Sequence, residues 1–105
     1  MYAGINFPPS TPEDDQYYWL WFINDLQSGE LISSADVSFT LEQGVDPDPS
    51  SKLVGSYTID PTQLIVGQRI RGLLAGNVYN LSIDANTTLG FTRNLSSRII
   101  CRAVY

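Results

Sequence analysis

The residues from Val78 to Ala85 alternate strictly between apolar and polar types. The apolar positions are Tyr79, Leu81, Ile83 and Ala85, and the polar ones between them are Asn80, Ser82 and Asp84. Because successive side chains of a β-strand point to opposite faces of its sheet, this period of two predicts a strand with one buried face. Any fold for this chain must therefore include a sheet that packs on a hydrophobic core.

Further segments are rich in strand-favouring residues and are separated by turn-forming ones. They are residues 16–23, Val37–Leu41, Leu53–Ile59, Arg69–Leu73 and Arg93–Tyr105. No helix is expected before residue 74 beyond a single turn at residues 61–65, and residues 44–51 are expected to be a surface loop. Short strands spaced by roughly 8 to 12 residues predict an all-β fold, an antiparallel β-sandwich of about seven strands.

The size and charge of the chain limit its organisation and its partners. Its 105 residues suit one domain, and Pro8, Pro9 and Pro12 predict an extended N-terminal arm over residues 1–15 before a domain at 16–105. Six scattered basic residues against eleven acidic ones give a net charge of −5, which argues against nucleic acid as a partner. The sequence shows neither an apolar run of roughly 18 residues nor a signal-peptide pattern, so we expect no membrane contact and assembly in a cytosol.

Few residues in the chain suit catalysis or metal binding. There is no histidine, which removes the commonest general base and zinc ligand and argues against most hydrolases. Cys101 alternates with Ile99 and Ala103 and is expected to be a core residue rather than a reactive thiol. Loop acids such as Asp46 and Asp48 are expected to be turn residues rather than a catalytic pair or a metal site. We therefore expect no catalytic residues, no metal and no cofactor.

Aromatic residues are concentrated in the first strand segment, and they cannot all easily face one core. They are Tyr17, Tyr18, Trp19, Trp21 and Phe22. Two interpretations stay open: the domain covers both faces of this strand and the arm packs back as an edge strand, or the arm and the outward aromatic residues bind a neighbouring subunit. The second interpretation rests on the dominance of tryptophan and tyrosine anchors in interface energies. The candidate partner-binding residues are Tyr2, Ile5 and Phe7 on the arm and Tyr18, Trp19 and Trp21 on the strand.

The segment from Leu73 to Ala85 resembles the leucine, glycine, tyrosine and alternating-apolar signature of strand F in immunoglobulin-like and fibronectin type III domains. This resemblance implies an immunoglobulin-like sandwich in which Tyr79 forms the tyrosine corner. In such a corner Gly76 permits a tight turn, the Tyr79 ring packs on the core and its hydroxyl bonds a backbone group upstream. Leu81 and Ile83 continue the buried face of the strand.

A looser resemblance extends over most of the chain from about residue 12. It comprises an acidic, proline-containing lead, the aromatic strand with Trp19 and Trp21, residues 29–34, residues 37–39, residues 72–76, Tyr79, residues 85–90 and a closing strand with Arg98. In this order the segments resemble the small immunoglobulin-like proteins encoded among the virion structural genes of tailed bacteriophages.

The phage resemblance implies a non-enzymatic virion protein that is assembled in the host cytoplasm and acts through contacts with capsid or tail subunits, as a homo-oligomer on the particle. Capsid decoration, or cement, is the first expectation, and a head-tail connector or tail component is the second. A carbohydrate-binding or adhesive module is the alternative from another class, because exposed aromatic rings can stack on sugars and loop Asp and Asn side chains can bond hydroxyls.

Overall fold

The computed structural model of the chain describes residues 15–22 and 26–102. Strands account for most of these residues, and a short 3-10 turn at Pro49–Lys52 is the one helical element among them. The six strands are β1 (Asp15–Trp21), β2 (Ile32–Gln43), β3 (Leu53–Ile59), β4 (Ile65–Arg71), β5 (Val78–Thr87) and β6 (Thr92–Ile100). The fold is therefore all-β, as the alternation pattern predicts, with six strands in the described ranges against about seven expected.

The strands form two antiparallel sheets of three strands each. The first sheet has the order β1-β4-β3, and the second has the order β2-β5-β6. Consecutive strands β3 and β4 form a hairpin in the first sheet, and β5 and β6 form the hairpin predicted at the end of the chain. The aromatic strand β1 thus lies in a different sheet from the strand with the strict alternation.

The hydrophobic core contains side chains from both sheets, which gives a sandwich-like arrangement. The first sheet contributes Tyr18, Leu20, Val66 and Ile70, and the second contributes Ile32, Ala35, Phe39, Tyr79, Leu81, Ile83, Ala85 and Ile99. Phe22, Leu73 and Cys101 complete the core from positions beyond strand ends. Cys101 is therefore a buried core residue, as its position in the alternation predicts.

Several strand bounds differ from the sequence prediction, and β6 covers Thr92–Ile100 where Arg93–Tyr105 was predicted, of which residues 103–105 lie outside the described ranges. The prediction for Arg69–Leu73 was wrong at both ends, since β4 starts at Ile65 and Gly72, with a φ of 77°, follows its last residue. Gln68 occupies a buried position between Val66 and Ile70, and this polar residue breaks the apolar pattern there. Its side-chain amide donates to the carbonyl oxygens of Val54, Gly55 and Arg69, which explains how a polar side chain is accommodated in the core.

Strand β2 extends beyond the predicted Val37–Leu41 at both ends, and a register shift separates its first residues from the rest. The shift lies between Ile32 and Ser34, and it brings both Ile32 and Ala35 to the buried face although they are three positions apart. Residues 61–64, where a single helical turn was expected, form a non-helical turn in which Gln63 has a φ of 59°.

Each end of the β2-β5 pair carries a buried carboxylate held by hydrogen bonds. At one end, Glu30 accepts from the Thr87 hydroxyl at 2.5 Å, the Gln27 N–H at 2.8 Å and the Arg93 guanidinium at 3.1 Å. At the other end, Asp46 accepts from the Tyr79 hydroxyl at 2.8 Å. These bonds tie loop residues to the strands and leave neither charge without a partner.

None of the described residues belongs to a helix with the length and hydropathy needed to cross a bilayer. The predicted arm, residues 1–15, lies outside the described ranges except for Asp15, which is the first residue of β1.

Candidate functional site

Alternation along β1 divides its aromatic residues between two faces of the sheet. Tyr18, with 4% of its surface exposed, and Leu20 point into the core, whereas Tyr17, Trp19 and Trp21 lie on the outer face. We call these three outward residues the aromatic ridge. Tyr17 is 46% exposed and its ring stacks on that of Trp19 with a centroid distance of 5.6 Å. The strand is thus apolar on both faces, as predicted, but only one face belongs to the core.

The indole of Trp19 lies flat against the neighbouring strand β4. Trp19 is paired with Gly67, and a Cβ added to that glycine would lie 2.4 Å from Cε3 of the indole. A glycine at this position is therefore required for the ring to approach the β4 backbone so closely. The contact fixes the orientation of Trp19 without burying it in the core.

A shallow groove of about 220 Å³ lies beside the ridge and is lined by Trp19, Trp21, Ile65 and Asp60. Ile65 faces the groove because it is paired with Trp21 across the β1-β4 ladder. Asp60 comes from the turn between β3 and β4, where its carboxylate accepts from the Thr62 hydroxyl at 2.8 Å and from the Leu64 N–H at 3.4 Å. The groove therefore combines apolar walls with one positioned carboxylate.

The other end of the ridge carries an ion pair. Arg69 donates two hydrogen bonds to Asp15, at 2.8 and 2.7 Å, and this hydrogen-bonded contact holds the pKa of Asp15 below its ordinary value. Along β4, Arg69 is four residues from Ile65, which corresponds to about 13 Å at the rise of a β-strand. The positive charge of Arg69 is thus compensated locally and lies away from the groove.

The structure divides the candidate partner-binding residues into three groups. Trp19 and Trp21 lie on the outer face, half-buried and next to the groove. Tyr18 does not belong with them: it is buried, and its hydroxyl accepts a hydrogen bond from the Gln16 side chain at 3.1 Å, so it is a core residue. Tyr2, Ile5 and Phe7 lie outside the described residues.

The candidate structural residues lie in β5 and in the turn that precedes it. Leu81 and Ile83 are fully buried, and Gly76 has a φ of 82°, a left-handed conformation that favours glycine in a tight turn. The ring of Tyr79 is fully buried and stacks on that of Phe39 with a centroid distance of 5.0 Å. Its hydroxyl accepts a hydrogen bond from the Leu74 N–H at 3.1 Å, five residues upstream.

Asp46 and Asp48 have local structural roles. Asp46 accepts from the Tyr79 hydroxyl and from the Asp48 N–H, and its Oδ2 lies 3.6 Å from Lys52 Nζ. Burial alone would raise the pKa of Asp46, but these hydrogen bonds and the lysine charge outweigh it and lower the pKa. Within residues 15–22 and 26–102, no three His, Cys, Asp or Glu side chains are arranged to hold a metal ion.

Sequence reasoning missed the two groove residues that do not belong to the aromatic strand. Asp60 stands before Pro61 in what reads as an ordinary turn, and Ile65 lies in a segment that was not predicted to be a strand. Their position beside Trp21 depends on the β1-β4 register, which joins residues more than 40 positions apart. No local pattern in the chain indicates that register.

No family model matches this chain, and no curated protein matches it with significance.

Proposed function

We propose that this chain is a non-enzymatic structural protein of a tailed-bacteriophage virion and that it binds a neighbouring virion subunit through the aromatic ridge. The observation that carries the proposal is the outer face of β1, where Tyr17, Trp19 and Trp21 form a row of large aromatic side chains outside the core. Such residues supply most of the binding energy of protein interfaces, because they bury much area at a small cost in conformational entropy.

Two observations support the finer assignment. The order of segments along the chain resembles small immunoglobulin-like virion proteins, and the two packed antiparallel sheets are compatible with that fold. The hydrogen bond from the Leu74 N–H to the Tyr79 hydroxyl is the kind of contact that a tyrosine corner makes. Within the particle we favour capsid decoration first and a head-tail connector or tail component second.

A homo-oligomer on the particle is part of the proposal. The ridge belongs to β1, which is an edge strand of the first sheet. A neighbouring copy or another virion protein that contacts Trp21 can therefore also reach the backbone edge of β1. A carbohydrate-binding module is the alternative use of the same surface, since indole faces also stack on sugar rings. Tyr17 and Trp19 stack on each other, which leaves less of their faces for such stacking.

The first experiment asks whether the chain is a component of a particle. Tailed particles are purified from the lysate of the host that expresses this chain, and the chain is sought by mass spectrometry and by immunogold electron microscopy. The proposal expects many copies per particle, with gold at the head, the connector or the tail according to its position. A chain that stays in the soluble fraction, with no gold on the particles, overturns the virion assignment.

The second experiment asks whether the ridge is the contact. A Trp21→Ser variant, supplied in place of the natural chain, should occupy particles at least about tenfold less, since loss of a tryptophan anchor costs more than about 1.4 kcal/mol. Leu89→Ser is the matched control, because Leu89 is 50% exposed at the tip of the β5-β6 hairpin. Equal occupancy by the two variants, both folded by circular dichroism, places the contact elsewhere.

A further inference from the structure

The groove beside the ridge combines two indoles with a carboxylate, and none of the described residues that line it is basic. We propose that this groove binds an arginine or lysine side chain presented by the protein partner. The inference rests on the proposed docking through the aromatic ridge and adds to it the chemistry of the residue that the partner must supply. It makes the groove a specificity site within a larger apolar contact.

The indole of Trp21 favours a cation, whereas that of Trp19 already packs against Gly67 and stacks on Tyr17. The face of an aromatic ring carries negative potential, and tryptophan has the strongest such potential of the natural aromatic side chains. Trp19 and Trp21 stand two positions apart on one face of β1, and both line the groove. A planar guanidinium or an extended lysine stem can therefore contact an indole and the side chain of Ile65 while the charge stays near the groove mouth.

The carboxylate of Asp60 adds a full negative charge at the same place. Its hydrogen bonds come from a hydroxyl and a backbone amide, which are neutral donors and fix its position without cancelling its charge. In the described ranges, no lysine or arginine nitrogen lies within ion-pair distance of Asp60. Two basic residues of β4 lie on the same sheet face: Arg69 is bound to Asp15, and Arg71 is at the far end of the strand, six residues from Ile65.

The chemical groups that line the groove also favour a cation over a neutral sugar. Each sugar hydroxyl is both a donor and an acceptor, so a sugar site needs several polar side chains of both kinds. Among the described residues that line it, the groove offers one carboxylate, two indole rings and the side chain of Ile65. A cation needs only the negative potential and the apolar surface that are present. The chain's net charge of −5 also attracts basic ligands.

The chain itself provides the reporter for a binding test. It contains two tryptophans, and both line the groove, so tryptophan fluorescence and the two indole N–H signals in NMR report on this site. The probes are a short glycine-serine peptide with one central arginine, the same peptide with citrulline, and a soluble oligosaccharide. Citrulline matches arginine in shape but carries no charge, so the pair isolates the electrostatic contribution.

The arginine peptide should shift the emission and move both indole signals, with an affinity at least about fivefold higher than that of the citrulline peptide at low salt. Asp60→Asn should lower the affinity for the arginine peptide about threefold to fivefold, while the asparagine keeps an oxygen for the hydrogen bonds of the turn. Asp36→Asn is the matched control, since Asp36 is an exposed carboxylate on the opposite sheet. It should leave the affinity unchanged.

Three results overturn the inference: equal affinity for arginine and citrulline, no response to either peptide, or tighter binding of the oligosaccharide than of the arginine peptide. The last result identifies the groove as a carbohydrate site. If neither peptide binds but the Trp21→Ser variant still occupies fewer particle sites, the docking proposal survives and only the cation site is wrong. If the arginine peptide binds but the chain is absent from particles, the groove binds a basic partner outside a virion.

Discussion

The Tyr79 hydroxyl donates a hydrogen bond to Asp46 Oδ2 across 2.8 Å and thereby joins the start of β5 to the loop after β2. The same oxygen accepts from the Leu74 N–H at 3.1 Å and from the Asn77 side-chain amide at 3.2 Å. Every hydrogen-bonding capacity of this buried hydroxyl is therefore used. One oxygen atom connects a loop, a turn and a strand.

Tyr79→Phe should therefore destabilise the fold by about 2 kcal/mol, because it leaves a buried carboxylate and two N–H donors with one partner fewer. The free energy of unfolding is measured by urea denaturation followed by far-UV circular dichroism. Tyr17→Phe is the control: the Tyr17 side chain is 46% exposed, and its loss of a hydroxyl should cost less than about 0.5 kcal/mol. Equal costs for the two variants would show that the Tyr79 network contributes little.

Acid should destabilise the fold in a defined range of pH. A hydrogen bond from Thr87 lowers the pKa of Glu30; burial opposes this effect, and hydrogen bonds from Gln27 and Arg93 reinforce it. The pKa of Asp46 is also lowered. Both pKa values are lower in the folded chain than in the unfolded one, so the folded chain binds fewer protons in this range. The free energy of unfolding therefore falls as the pH drops. The loss should begin as the pH falls below about 5 and continue below about pH 4, near the ordinary carboxyl pKa values.

The variant that tests this dependence is Glu30→Gln, which cannot titrate. At pH 7 the variant should be less stable than the natural chain, because the substitution removes the charged pair with Arg93. Below pH 5 its stability should depend less steeply on pH. Urea midpoints from pH 3 to 7 measure both effects. Asp36→Asn, which removes an exposed carboxylate of β2, is the control. An unchanged slope in Glu30→Gln contradicts the assignment.

Gly67→Ala should move the indole of Trp19, since the added Cβ would lie 2.4 Å from its Cε3 atom. We expect a cost of about 1 to 3 kcal/mol, typical of overpacking. In a Trp19→Leu background the same change should cost less than about 0.5 kcal/mol, because the ring that it meets is gone. Urea unfolding of the four proteins gives the coupling energy. The same cost in both backgrounds would mean that Gly67 is required for another reason.

The strands that the sequence predicted well are those with regular alternation. In β5 the odd positions from Tyr79 to Ala85 are apolar and buried without exception, so its period of two identified its first residue and its inner face, although the strand continues to Thr87. In β4 the buried positions include Gln68, whose amide is satisfied by three carbonyl oxygens from β3 and β4. A buried polar residue with tertiary partners cannot be distinguished from a solvated one by pattern alone.

The candidate site was predicted in part for the same reason. The aromatic run indicated an unusual strand. Because the first residue of that strand was uncertain, the alternation did not decide which side chains face the core. The buried Tyr18 was therefore included among the partner-binding candidates. Trp19 and Trp21 follow from the β1 alternation once Tyr18 is known to be buried. Asp60 and Ile65 join them only through the pairing of Trp21 with Ile65, a contact between distant parts of the chain.

Hydroxyl-radical footprinting of the chain, free and on the particle, tests the ridge most directly, because it measures the solvent exposure of single side chains in the assembled state. Trp19 and Trp21 should be oxidised several-fold more slowly on the particle than in the free chain. Phe91, 46% exposed on the β5-β6 hairpin, should keep its rate and serves as the internal reference. Equal oxidation of the two tryptophans in both states would contradict docking through the aromatic ridge.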